Sequence, residues 1–251
     1  MKKIIFFLVA IAIVSTSSAQ KKGEIHKNLY LNNDFSIDGK LNEWSDSLQN
    51  TNSQSKLSYV VANNDTALYV AVKTSDPNTI RKILIHGFTF MINKSAKKTP
   101  GPAVIFPYVD RTDFGANQPK PTGTPVKMNQ HVLSQVRGVV TRDFKGIIDG
   151  KVSLQNEYGI KAASSIDDKN VFRYELSIPL AHLELNKDFA EALSYQFRIN
   201  GIERTVMQRG IGSRLNSYGY GPYGSYPDDT YARKITDAVE FWARYTLAIS
   251  P

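Results

Sequence analysis

The residues best suited to chemistry lie near the C-terminal end, in a segment rich in tyrosine and glycine. Residues 217–231 read SYGYGPYGSYPDDTY, and Tyr218, Tyr220, Tyr223 and Tyr226 are separated by Gly, Ser and Pro. A tyrosine ring can stack on the apolar C–H face of a sugar while its hydroxyl forms a hydrogen bond. Small residues between the rings are typical of adaptable binding loops. The segment therefore predicts a ligand-binding loop with these four tyrosines as contacts; the alternative is that they pack against the end of the domain.

Scattered aspartates raise the alternative of a calcium ion, which takes about six to eight oxygen ligands. The aspartates considered are Asp38, Asp76, Asp110, Asp113, Asp228 and Asp229. No D-x-D-x-D-G loop is present. A turn with Gly39 explains Asp38, and the position before Pro77 explains Asp76. We therefore predict no cofactor, with a structural calcium ion left as an open alternative.

Other catalytic chemistry has little support in the residues. The chain has no cysteine, which excludes thiol catalysis and cysteine-based metal sites. No H-E-x-x-H, G-x-S-x-G or P-loop motif occurs. Glu175 is the most tempting single acid, but a catalytic carboxylate pair is assembled in space and cannot be read from spacing. We predict a protein that is not an enzyme, with a glycan hydrolase as the weakest alternative.

The N-terminus has the pattern of a secretory signal peptide. Lys2 and Lys3 precede an apolar run over residues 4–14, and small residues end at Ala19. The run is too short to span a bilayer, and no cysteine is available for a lipid anchor. We predict a signal peptide over residues 1–19 and an exported protein, periplasmic or secreted, that is not a lipoprotein and has no membrane span.

The charge is basic but dispersed. The chain has 31 Lys and Arg against 23 Asp and Glu, a net +8, and loss of the two N-terminal lysines leaves about +6. A nucleic-acid binder concentrates its basic residues on one face or helix. The densest group here, Lys94, Lys97 and Lys98, falls in a predicted loop and indicates a solvated tip. No nucleic-acid partner is predicted.

Short runs rich in Val, Ile, Tyr, Phe and Thr, bounded by Gly, Asn, Asp and Pro, predict an all-β antiparallel sandwich. Strands are predicted near 36–37, 57–62, 67–73, 87–92, 135–140, 151–155, 158–163, 171–178, 195–203 and 241–248. Residues 180–193 carry the one plausible helix pattern, so at most one or two short helices are expected. Residues 94–127, rich in Pro, Lys, Gly and Thr, are predicted to be a long loop insertion within a single domain over residues 20–251.

Four sequence elements carry a family resemblance: IDGKLNEW at 37–44, LYVAVKTSDP at 68–77, YELSIPLAHL at 174–183 and FWARYTLA at 241–248. In this order they resemble the family 9 carbohydrate-binding modules of the DOMON-like group. The resemblance implies a jelly-roll-like sandwich that binds sugars. It also implies that Glu175 belongs to a structural motif.

The chain departs from that family in two places. The position of an acidic, calcium-associated strand reads GFTFMIN at 87–93, without a carboxylate. The stacking tryptophans are not evident, because Trp44 and Trp242 are the only tryptophans and both lie inside structural motifs. The Tyr-rich segment occupies the place where the family has one stacking aromatic.

The resulting prediction is an exported, non-catalytic protein that binds a saccharide through the loop tyrosines. The alternative is an interaction domain of the same fold. In that case the 94–127 segment and the Tyr-rich loop contact another envelope protein.

Overall fold

Two antiparallel β-sheets, packed face to face, form the fold. The computed structural model describes residues 29–31, 35–44, 48, 50–108, 123–201 and 237–250. The strands are β1 (Asn50–Asn52), β2 (Leu57–Asn63), β3 (Ala67–Thr74), β4 (Phe88–Asn93), β5 (Ala103–Tyr108), β6 (Gly138–Arg142), β7 (Gly150–Ser153), β8 (Lys161–Ile166), β9 (Phe172–Pro179), β10 (Leu193–Ile199) and β11 (Val239–Tyr245). One sheet has the order β1-β2-β3-β9-β8, and the other has the order β11-β10-β4-β5-β6-β7. The predicted all-β sandwich is confirmed.

The core lies between the sheets and is rich in aromatic rings. On β9, Phe172, Tyr174, Leu176 and Ile178 all enter it, as their alternation predicts. Edge-to-face ring contacts join the two sheets: the centroids of Tyr59 and Phe197 are 4.9 Å apart, and those of Phe88 and Tyr174 are 5.7 Å apart. Such pairs add to the stabilisation from buried apolar area.

Two short α-helices accompany the sheets, α1 (Pro77–His86) and α2 (Pro125–Ser134). Asp76 caps α1, since its Oδ2 accepts the backbone N–H of Thr79 at 2.8 Å. The helix predicted over 180–193 is instead a 3-10 helix over Leu180–Leu183. It ends at Glu184, which has a left-handed backbone (φ 53°). No helix in the described part of the chain is both long and apolar enough to cross a membrane.

The segment 94–127, predicted to be one long loop, instead contains β5 and the beginning of α2. The apolar run AVIF is short and flanked by prolines, but β4 and β6 pair with it on both sides. The register shifts between Ile105 and Tyr108, and Pro107 lies at this irregularity, where the lack of an N–H is tolerated. Residues 109–122 lie outside the described residues. Residues 36–37, predicted as a strand, are not one, and β1 was not predicted.

Other strand predictions hold closely. The hairpin at Asn64-Asp65 joins β2 and β3 as predicted, and Asn64 Oδ1 accepts the backbone N–H groups of Thr66 and Ala67. The predicted signal peptide, residues 1–19, lies outside the described residues and stays a prediction.

The N-terminal residues cover the outer face of the five-stranded sheet. Leu31, Leu41 and Trp44 are buried there against side chains of β2 and β3, including Tyr69. Phe35 packs on Trp44, with ring centroids 5.2 Å apart. Both faces of the five-stranded sheet are therefore in contact with other parts of the chain.

Candidate functional site

The predicted contact residues Tyr218, Tyr220, Tyr223 and Tyr226 lie outside the described residues, so their role stays a prediction. The anchors of their segment are described. Ile199 at the end of β10 pairs with Val239 at the start of β11. The chain that carries the tyrosines therefore leaves and rejoins the same end of the six-stranded sheet.

The last strand shows which side chains of this sheet face outward. Phe241 and Ala243 of β11 belong to the core. Side chains alternate along a strand, so Glu240, Trp242 and Arg244 point to the outer side. Trp242 is partly buried there and keeps some exposure to solvent.

A row of outward side chains crosses the sheet from Trp242. Gln196 is opposite Trp242, and Met91 is opposite Gln196. Ala103 is opposite Met91, and Arg142 is opposite Ala103. Strands lie about 4.8 Å apart, so this row spans about 19 Å. We call the surface centred on this row the six-strand face.

Burial varies along the row that defines the six-strand face. Ala103 and Gln196 are buried, Met91 and Trp242 are partly buried, and Arg142 is exposed. The row therefore carries an indole ring at one end, an amide and a thioether between, and a guanidinium at the other end.

Neighbouring polar groups on the same face are already ordered. Arg198 Nη1 donates to Glu240 Oε2 at 2.9 Å, and both side chains are about two-fifths exposed. Thr89 Oγ1 donates to Asn200 Oδ1 at 2.9 Å. These bonds fix side chains on β4, β10 and β11, so the surface beside Trp242 is preorganised.

Glu175, the acid that the sequence singled out, is a structural acceptor. Its Oε2 accepts the backbone N–H groups of Asp38 at 2.9 Å and Gly39 at 2.6 Å. Its Oε1 accepts Trp44 Nε1–H at 2.6 Å. Burial raises the pKa of the Glu175 carboxyl above its ordinary value, while the donors led by Gly39 act in the opposite direction. The three bonds explain why the IDGKLNEW element lies on this sheet.

The candidate calcium ligands have identifiable structural roles where they are described. Oxygens of Asp38, Glu43 and Glu175 lie within 4.8 Å of one another. Asp38 pairs with Lys40 at 3.1 Å, however, and the Glu175 oxygens accept the bonds above. Asp76 caps α1. The remaining candidates, Asp110, Asp113, Asp228 and Asp229, lie outside the described residues.

A depression of about 510 Å³ lies at the end of the sandwich near the loop after β4. At its rim, Glu184 accepts from Lys94 Nζ at 2.5 Å and pairs with Lys145 Nζ at 3.2 Å. Hydrogen bonds from Lys94 and then Lys145 lower the pKa of the Glu184 carboxyl. One carboxylate thus pairs with both ammonium groups at the rim.

His182 lines the same depression and connects two loops. Its Nδ1 lies 2.9 Å from the carbonyl oxygen of Lys145, and its Nε2 lies 2.9 Å from that of Tyr158. Its ring is therefore held between backbone carbonyls. His86 and His131 lie in the last turns of α1 and α2, and His26 lies outside the described residues.

Sequence reasoning assigned both tryptophans to structural motifs, and the structure separates them. Trp44 is buried and bonded to Glu175, as expected. Trp242 is on the outer side of β11. The sequence carried this information in the alternation of FWARY: if Phe241 and Tyr245 enter the core, Trp242 and Arg244 must face the other way.

No family model and no curated protein matches this chain. Among solved structures it is similar to a family 9 carbohydrate-binding module from Caldicellulosiruptor kristjanssonii in complex with glucose. The identity is 12%, the match covers 71% of this chain and 80% of that chain, and the TM-score is 0.34. This similarity is distant, and the sandwich class of this chain rests on its own two sheets.

Proposed function

We propose that this chain is an exported, non-catalytic protein that binds a saccharide on the six-strand face, with Trp242 as the stacking residue. The observation that carries the proposal is the position of Trp242. Its strand neighbours Phe241 and Ala243 enter the core, whereas Trp242 points outward beside Gln196.

The chemistry of this face suits a sugar. An indole ring offers a flat apolar surface to the C–H face of a pyranose, and its N–H can donate to a hydroxyl. Gln196, directly opposite, offers both a donor and acceptors in its amide. Arg198 and Glu240 hold each other at 2.9 Å and present further polar atoms near the same ring. Binding sites of this kind combine an apolar surface with a few placed polar groups.

The Tyr-rich segment belongs to the same proposal. Its described ends, at Gly201 and Asp237, adjoin the paired ends of β10 and β11. We propose that Tyr218, Tyr220, Tyr223 and Tyr226 add contacts at this end of the sheet. Loops carried on a rigid sheet are common sites of ligand binding.

The two tryptophans allow a direct test by fluorescence. In a Trp44→Phe variant, Trp242 is the single tryptophan, and we expect saccharide titration to change its emission. In a Trp242→Phe variant, Trp44 is the single tryptophan, and we expect its emission to stay constant. The ligand is first identified with a glycan array of plant, algal and host glycans, probed with and without calcium. Affinity should fall at least about tenfold in Trp242→Ala.

Two controls separate loss of binding from loss of folding. Lys73 is exposed on β3 of the five-stranded sheet, so Lys73→Gln should leave both affinity and thermal stability unchanged. Trp242→Ala should unfold at nearly the wild-type temperature, because the residue lies outside the core. An array without any hit, or Trp44 responding instead of Trp242, would refute the proposal. Capture of an envelope protein by this face would then support the interaction-domain alternative.

A further inference from the structure

We infer that the saccharide bound on the six-strand face is acidic, carrying carboxylate or sulfate groups. The inference rests on the proposed function and names the class of its ligand. Its basis is the charge on that face. Outward positions of the six strands carry Arg142, Lys151, Arg198 and Arg244, but Glu240 is their one carboxylate among the described residues.

Arg244 is the cation best placed to choose the ligand. It lies two positions after Trp242 on the same strand and on the same side, which separates the two Cα atoms by about 7 Å. Arg198 is occupied by Glu240. No carboxylate of the described residues forms an ion pair with Arg244, and the residue opposite it is Ser194.

The loop after β4 adds positive charge near Ser194, the residue opposite Arg244. Ser194 Oγ donates to the carbonyl oxygen of Lys97 at 2.5 Å, and Asn93 Nδ2 donates to that of Pro100 at 2.8 Å. These bonds hold the loop against the residue opposite Arg244. The side chains of Lys97 and Lys98 are exposed there. Two of the three lysines predicted to form a solvated tip, Lys97 and Lys98, therefore lie in a loop that contacts the strand beside β11.

This arrangement favours an anionic ligand for a physical reason. A sugar stacked on Trp242 would direct a ring substituent toward Arg244, whose planar guanidinium can bind a carboxylate or sulfate through two parallel hydrogen bonds. A neutral sugar offers the guanidinium no anionic group, so it gains no charge-assisted contact with Arg244. Positive charge on this face would also accelerate encounter with an acidic polymer.

Paired glycans that differ only in charge test the inference. The first pair is polygalacturonate and its fully methyl-esterified form; the second is a sulfated galactan and its desulfated form. We expect each acidic member to bind about tenfold more tightly than its neutral partner, as a charge-assisted bidentate contact implies. The pair that shows the larger difference identifies the group as carboxylate or sulfate.

Variants of the full mature chain locate the effect. Arg244→Gln should abolish most of the difference between acidic and neutral partners while changing affinity for the neutral partner less than about twofold. Arg244→Lys keeps the charge but loses the planar guanidinium that forms two parallel hydrogen bonds. It should therefore retain an intermediate preference for the acidic glycan. Lys73→Gln removes the same charge from an exposed position on the five-stranded sheet and should leave the preference intact.

Each remaining outcome contradicts a specific step. Equal affinity for the charged and neutral partners would overturn the inference and leave the proposed function standing. Equally tight binding of polyglutamate or duplex DNA would also overturn it, because charge alone would then explain the affinity. If no glycan of either kind binds and the Trp242 emission never changes, the proposed function itself fails.

Discussion

At the scale of single residues, Glu175 shows how a buried carboxylate can fix one segment to a sheet. It accepts two backbone N–H groups and one indole N–H, and it is fully buried. Gly39 is part of the reason this geometry exists. Its φ is +80°, and an added Cβ would lie 2.7 Å from the backbone of Ser164, so only glycine fits. The acid that sequence alone made a catalytic candidate is thus used for structure.

Replacing Glu175 with Gln should destabilise the protein by roughly 2 kcal/mol. The side-chain amide has only one oxygen, whereas the present donors bind two carboxylate oxygens. The free energy of unfolding in urea measures this change. Saccharide affinity below the unfolding transition should be unaffected, since Glu175 lies on the other sheet. A Glu175→Gln protein with wild-type stability would contradict the structural role assigned to this carboxylate.

At the scale of elements, the turn between β8 and β9 depends on one aspartate. Asp167 Oδ1 accepts the backbone N–H groups of Lys169 and Val171, each at 2.9 Å, and its Oδ2 pairs with Arg173 at 2.9 Å. The bond from Val171, followed by the contact with Arg173, lowers the pKa of the Asp167 carboxyl below its ordinary value. The ionised carboxylate is therefore the form that stabilises the turn.

The pH dependence of this turn follows from that direction. The pKa of Asp167 is lower in the folded state than in the unfolded state, so its stabilisation is present above about pH 4 and is lost as the pH falls through the folded value. Asp167→Asn should cost about 1 kcal/mol at pH 7. The difference between variant and wild type should shrink toward zero at acidic pH. Urea unfolding from pH 3 to 7 measures it, and a difference independent of pH would contradict the assignment.

The elements also show what sequence could predict. Strands such as β2, β3 and β9 were placed within about two residues, because a side chain must alternate between a core and an outer environment. Helix α1 was missed although its start was visible. The position before Pro77 was the explanation given for Asp76, but the two residues are also an N-cap and a first helical proline. The deciding factor was the packing of Ile80 and Ile83 into the core, which is a tertiary contact.

The candidate site was predictable only in part. The sequence directed attention to the Tyr-rich segment, while the structure supplied the strand pairing that puts Trp242, Gln196 and Arg142 in one row. Residues in that row come from strands far apart in the chain. No local pattern fixes which strands become neighbours, so the row itself could not be read from sequence. The outward orientation of Trp242 could have been inferred from alternation.

At the scale of the whole molecule, the outer faces of the two sheets differ. The outer face of the five-stranded sheet is covered by the N-terminal residues, which bury Trp44 against it. The six-strand face carries Trp242 together with several basic side chains. The core between the sheets is about 10 Å thick, so the two tryptophans, which lie on the outer sides of different sheets, are well separated.

This separation predicts that the two tryptophans act independently. Trp44→Phe removes the indole donor to Glu175 and leaves a small void, and should cost roughly 2 kcal/mol of stability with unchanged saccharide affinity. Trp242→Ala should have the reverse effect, with affinity lost and stability nearly kept. In the double variant, the changes in unfolding free energy should add to within about 0.5 kcal/mol, as distant sites do. Urea unfolding and titration of all four proteins measure both quantities. A coupling above about 1 kcal/mol would mean that the core transmits changes between the faces, and the sandwich would then have to be treated as one coupled unit in saccharide binding.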